Sequence, residues 1–168
     1  MKVTVDDKVW RRIIANVKKA GTLELQVGIT GSDGEQKHPN SDLTIGEIAL
    51  IHEYGSEKAD VPARPFLSRA FERTAFPMHA AMRRAASDCY MSPSSLMSSL
   101  RSMGQLAVGA VRMTIFDNIP PALEESTVRK KGHDLALVDS GTLMEAISYK
   151  IAFHSESTFG ATTGGADY

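Results

Sequence analysis

The chain has 168 residues, of which 42% are hydrophobic and 23% charged, an ordinary composition for a globular protein with its own core. Its 19 basic and 20 acidic side chains give a formal net charge of -1, so no global polyelectrolyte character points to nucleic acid. The single Cys89 excludes an intramolecular disulfide and suits a reducing cytoplasm, while the absence of a signal-peptide pattern and of any long apolar run argues against a membrane partner.

Asp6 to Ala20 is predicted to be an amphipathic helix. Val9, Trp10, Ile13, Ile14 and Val17 recur at helical spacing, Asp6 or Asp7 can cap it, and Gly21 stops it. Leu23, Leu25, Val27 and Ile29 then alternate with Glu24, Gln26 and Gly28, the period of a half-buried strand. Residues 31–42 read as a mobile polar loop. Thr44 and Glu47 form a capping-box pair at the head of a helix that carries Ile45, Ile48, Ala49, Ile51 and Tyr54 and stops at Gly55. Helix resumes from Phe66 to Ala75, with Pro77 expected to break or kink it before Met78 to Tyr90.

Ser92-Pro93 restarts the helical pattern as cap and first residue. Leu96, Leu100, Met103, Ala107, Val111 and Ile115 mark what is expected to be the longest helix, ending near Asn118 ahead of Pro120-Pro121. Residues 122–138 read as irregular, with basic Arg129, Lys130 and Lys131. Asp139-Ser140-Gly141-Thr142-Leu143 opens a short helix with Ser140 as its cap, and Ile147 to Phe153 alternates like a strand. The predicted fold is α+β, with several helices packed on a small, mostly antiparallel sheet. Residues 1–153 form one domain and 154–168 a flexible arm.

No residue pattern here carries catalysis. His52-Glu53 lacks a second histidine four residues on, since position 56 is Ser, so the zinc-protease spacing fails. The pair reads instead as a surface couple at a helix C-terminus, where a partly charged His suits the dipole. Ser140 has no strand-to-helix elbow around it, and Gly31-Ser32-Asp33-Gly34 lacks the Lys of a phosphate loop. No cofactor or metal is expected. Arg64, Arg69, Arg73, Arg83 and Arg84, with Arg129 to Lys131, suit either a DNA-facing surface or plain solvated charge. Pro62-Ala63-Arg64-Pro65-Phe66 fixes two φ angles and makes a rigid corner. It can display Arg64 and Phe66 to a partner or use Phe66 to plug the core.

Those corner residues carry a resemblance. His52, Glu53, Tyr54 and Gly55, followed by Pro62, Arg64, Pro65 and Phe66, are similar to the signature of bacteriophage tail-completion or neck proteins, the minor tail protein Z-like family. The downstream order agrees: a long helix, Pro120-Pro121, the basic Arg129-Lys130-Lys131, and then Leu137 to Leu143. That last run, with Asp139, Ser140 and Gly141, resembles another family element, Ser140 standing where Thr is common. The likeness spans about residues 20 to 153.

The resemblance implies a non-enzymatic virion protein at the head-proximal end of the tail or in the neck. It would act as a ring of copies, a hexamer in the virion, touching the tail tube, tail terminator and head connector, with non-specific contact to packaged DNA. Such a protein would be made in the host cytoplasm and would be monomeric in dilute solution until the tail or connector favours the ring. A tail terminator or connector subunit of an adjacent ring layer, or a small DNA-binding accessory protein, is the alternative.

Overall fold

The protein is α+β, and a computed structural model describes residues 7–153. Helix α1 (Asp7–Ala20) leads into strand β1 (Leu23–Ile29), followed by the single-turn α2 (Ser32–Glu35) and α3 (Ile45–Tyr54). Two long helices come next, α4 (Phe66–Met91) and α5 (Pro93–Phe116). The short α6 (Glu125–Lys131), α7 (Thr142–Glu145) and strand β2 (Ile147–Phe153) complete the order. The strands pair antiparallel, Leu23 opposite Phe153 and Ile29 opposite Ile147, so the first and last strands of the described chain lie side by side.

The α4–α5 hairpin is the frame. Ser92 alone separates the two helices. Its N–H reaches the Asp88 carbonyl to finish α4, and its Oγ accepts the Ser95 N–H at 3.2 Å to open α5. A Ser99–Asp88 hydrogen bond near the turn and an Arg73–Asp117 ion pair at the far end hold the helices antiparallel. The predicted stripe on α5 is buried at Leu96, Met103, Ala107, Val111 and Ile115.

Two clusters of core form along this frame. One gathers Ile45, Phe66, Val111, Ile115, Ile119, Leu137, Leu143 and Ile147 from α3, α4, α5, α7, β2 and the connections between them. The other holds Ala85, Cys89, Leu96 and Met103, with Ala20, Leu23 and Leu25 against it. The sheet lies on α5, where Tyr149 seats its ring on Gly104. A Cβ at 104 would come within 3.0 Å of three of the ring's carbons, so only glycine lets the strand approach.

Several expectations need correcting. Of the break or kink expected at Pro77, the break does not occur: Pro77 lies inside α4, so packing along α5 outweighs a cost of about 3 kcal/mol for an interior proline. At 26 residues α4 is therefore longer than α5, at 24. Residues 31–42 are tied down rather than loose: α2 forms there, Lys37 bridges to Thr44, and Asn40 Nδ2 donates to Asp139 at 3.2 Å. Residues 122–138 contain α6, whose last turn carries Arg129, Lys130 and Lys131 and whose end is the left-handed Gly132. The cap of α7 is Gly141 in the left-handed region, not Ser140, whose Oγ meets the Thr142 N–H only at 3.4 Å.

The largest difference is at α1. Val9, Trp10, Ile14 and Val17 are exposed, and Asn16 is turned inward. The helix forms as its spacing predicts but packs on α4 and α5 by the edge of its apolar stripe rather than its centre. The expected arm, residues 154–168, lies outside the described residues. Among the described residues no helix is long and apolar enough to cross a membrane.

Candidate functional site

The corner is built from the end of α3. Gly55 leaves the helix at φ 79°, and a Cβ there would sit 2.9 Å from the Ala63 nitrogen, so the chain can fold back only at a glycine. Ser56 and Val61 exchange backbone hydrogen bonds of 2.8 and 3.0 Å that close the intervening loop. The Arg64 N–H then donates to the His52 carbonyl at 2.6 Å. Pro62 and Pro65 fix the path between these bonds, and Phe66 enters the core with no exposed surface.

Glu53 is not a surface residue. It keeps 6% of its area exposed, and its carboxylate caps the next helix. Oε2 accepts the Leu67 N–H at 2.9 Å, while Oε1 accepts the Ser68 N–H at 3.0 Å and the Ser68 hydroxyl at 2.6 Å. Helix α4 has Pro65 at its N-cap position and so no side-chain cap of its own, and a carboxylate from α3 satisfies its orphan donors at the positive end of the dipole.

Arg64 is turned inward as well, with 4% exposed. Its Nε and Nη2 both donate to the Pro121 carbonyl, at 3.3 and 2.8 Å. Lys131 Nζ holds the carbonyls of Leu135 and Ala136 at 3.0 and 3.3 Å, and Asn118 Oδ1 takes the Ala136 N–H at 3.2 Å. Burial pushes the Arg64 guanidinium and the Lys131 ammonium below their ordinary values; at Lys131, Asp139 opposes the shift and Arg64 adds to it. Of the two readings the sequence left open, Phe66 plugs the core, and Arg64 is not displayed but buried with it.

His52 sits among these groups with its Nδ1 buried and unpartnered. Burial, and then the positive charges of Arg64 and Lys131, push its pKa below the ordinary 6.5. The imidazole is therefore neutral near pH 7, not the partly charged partner of a helix dipole. Its neighbour in sequence, Glu53, points elsewhere, so the expected surface pair does not exist.

The two stretches that carry the resemblance meet across one open cleft of about 1120 Å³. His52, Tyr54, Gly55, Pro62 and Arg64 line one part of it, and Lys131, Asp139, Ser140, Gly141 and Leu143 another. Arg129 and Lys130 stay on the exposed side of α6, where Arg129 lies 4.0 Å from Glu125. On the rim, Ser140 Oγ is 3.3 Å from His38 Nε2. The Asn40 N–H donates to His38 Nδ1 at 3.2 Å, which places the ring proton on Nε2. The ring then donates to Ser140, the reverse of what a general base would need.

Other expected features scatter. Of the basic residues considered for a DNA-facing surface, Arg64 is buried, Arg73 pairs with Asp117 and Lys131 holds carbonyls, while Arg69, Arg83 and Arg84 are exposed on α4. Among the described residues no group of three or more His, Cys, Asp or Glu is arranged to hold a metal ion. Cys89 is buried.

Sequence reasoning missed the Glu53 cap, the Arg64–Pro121 clamp and the Gly104–Tyr149 contact. Only the last had a signal, an isolated glycine inside a strong helical pattern. Compared with protein-family models, curated proteins and solved structures, the chain finds no match in any of the three.

Proposed function

We propose that the protein is a structural component of a tailed bacteriophage, acting in tail completion or head–tail joining by protein–protein contact. The observation that carries this reading is how the corner spends its residues. Glu53, Arg64 and Lys131 are committed to backbone groups of the protein itself. Beside them Tyr54 is 77% exposed and Leu50 59%. Charges used to brace a joint, with large apolar side chains left outside it, suit a rigid part made to be contacted. The motif resemblance supports the particular setting, because its separated segments fold against the same cleft.

Disrupting the gene in the phage that encodes it is the test. Electron micrographs of the lysate are expected to show filled heads and unattached tails, with infectivity restored by supplying the protein. Intact, infectious particles without the protein would contradict the proposal.

A further inference from the structure

We propose that the pocket beneath α1 binds a small apolar monocarboxylate, with a body of about eight carbons between the sheet and α5 and its carboxylate held by Asn16 and Lys19. The proposal goes beyond the assembly role and does not rest on it.

The second core cluster does not fill the space under α1. Between α1, the sheet and the start of α5 a cavity of about 210 Å³ remains. Leu23 stands opposite Phe153 in the strand register, and Ile151 is two residues before Phe153, so all three belong to one side of the sheet. They form one wall of the cavity, and Leu96, itself buried, contributes to the other. An engineered cavity of about 150 Å³ takes benzene, so this one has room for about eight carbons, as a chain or as a ring with a short arm.

Two polar side chains stand among these walls. Asn16 lines the cavity with only 8% of its area exposed, and its Nδ2 has no hydrogen-bond partner among the described residues. A buried donor left unpaired is unfavourable, and an acceptor that enters with a ligand relieves it. Lys19 follows three residues later, so it shares this side of the helix with Asn16 and stands exposed at the rim. Among the described residues no acidic side chain lines the cavity. An amide donor and an ammonium with no competing carboxylate select an anionic acceptor over an alcohol or an amine. The apolar walls in turn select a carboxylate with a body to bury over one as small as acetate.

Titrating the full chain with sodium octanoate, followed by NMR of the backbone and side-chain amides, tests the site. Octanoate is expected to bind one to one with a Kd at or below about 1 mM. It should move the Asn16 side-chain amide together with the Leu23, Leu96 and Ile151 signals. Octanol and octylamine carry the same body without the anion and should bind at least about fivefold more weakly, and acetate should leave these signals in place.

Two variants sharpen the test, and the same spectra show whether each is folded. Asn16→Leu removes the donor and should weaken octanoate at least about tenfold, a change of about 1.4 kcal/mol. Lys19→Gln removes an exposed, screened charge and should weaken it about threefold while narrowing its advantage over octanol. No shift at octanoate concentrations well above the expected Kd overturns the proposal. Shifts spread over the exposed Trp10 and Val17 instead of the pocket, equal binding of octylamine, or variants that bind like the wild type overturn it too.

Discussion

The two ends of the α4–α5 hairpin are built on opposite plans. At the corner end three charged side chains that enter the interior find backbone partners, Glu53 at the head of α4, Arg64 on Pro121 and Lys131 on Leu135 and Ala136, while the Nδ1 atoms of His52 and His133 are buried without one. Around them stand large buried residues such as Phe66, Ile115 and Ile147. At the α1 end the buried core is small, with Ala85 and Cys89 prominent, and the Asn16 amide nitrogen is buried without a partner. Large apolar residues there remain in water. One end is braced by charged side chains on backbone groups, and the other is a small core beneath a helix whose large apolar residues stay outside.

The strongest way to break that contrast is at the corner. Glu53→Ala leaves two N–H groups and a hydroxyl of α4 without an acceptor and is expected to destabilise the protein by about 3 kcal/mol. Chemical denaturation measures it, and a loss below about 0.5 kcal/mol would mean the cap is cosmetic. Between the two ends, Gly104→Ala forces the Tyr149 ring and β2 away from α5. A cost of about 1–3 kcal/mol is expected from overpacking, relieved when Tyr149 is replaced by Leu in the same chain. Additive effects of the two changes would show that the contact is not the cause.

A smaller and pH-dependent effect belongs to His52. Its folded pKa is depressed below 6.5, so the unfolded chain binds more protons in the window just beneath that value. The contribution is complete above pH 6.5 and is lost as pH falls toward the folded value. Melting temperatures followed from pH 7.5 to 5 are expected to decline. His52→Gln should flatten that part of the profile. At the α1 end the expected sign reverses. Asn16→Leu removes an unsatisfied buried amide and should stabilise the monomer by about 1 kcal/mol, read as a raised denaturation midpoint.

The sequence showed one of these ends better than the other. Helix periodicity located α1, α3 and α5, alternation located both strands, and the Thr44–Glu47 capping box forms as its spacing requires, with bonds of 3.2 and 2.8 Å. Those are local signals. The direction in which Glu53 and Arg64 point depends on where α4 and Pro121 arrive in space, which no local pattern encodes. The roll of α1 was hidden for the same reason: its stripe predicts an apolar face but not what the face meets. Pro77 shows the limit of a breaker rule, because a long partner helix can hold an interior proline in place.

Amide hydrogen exchange on the free protein tests the contrast most directly. The account predicts that the Arg64, Leu67 and Ser68 amides exchange only through global unfolding, while those of α1 exchange through local opening with far less protection. Equal protection at both ends, or slower exchange in α1 than at the corner, would contradict it.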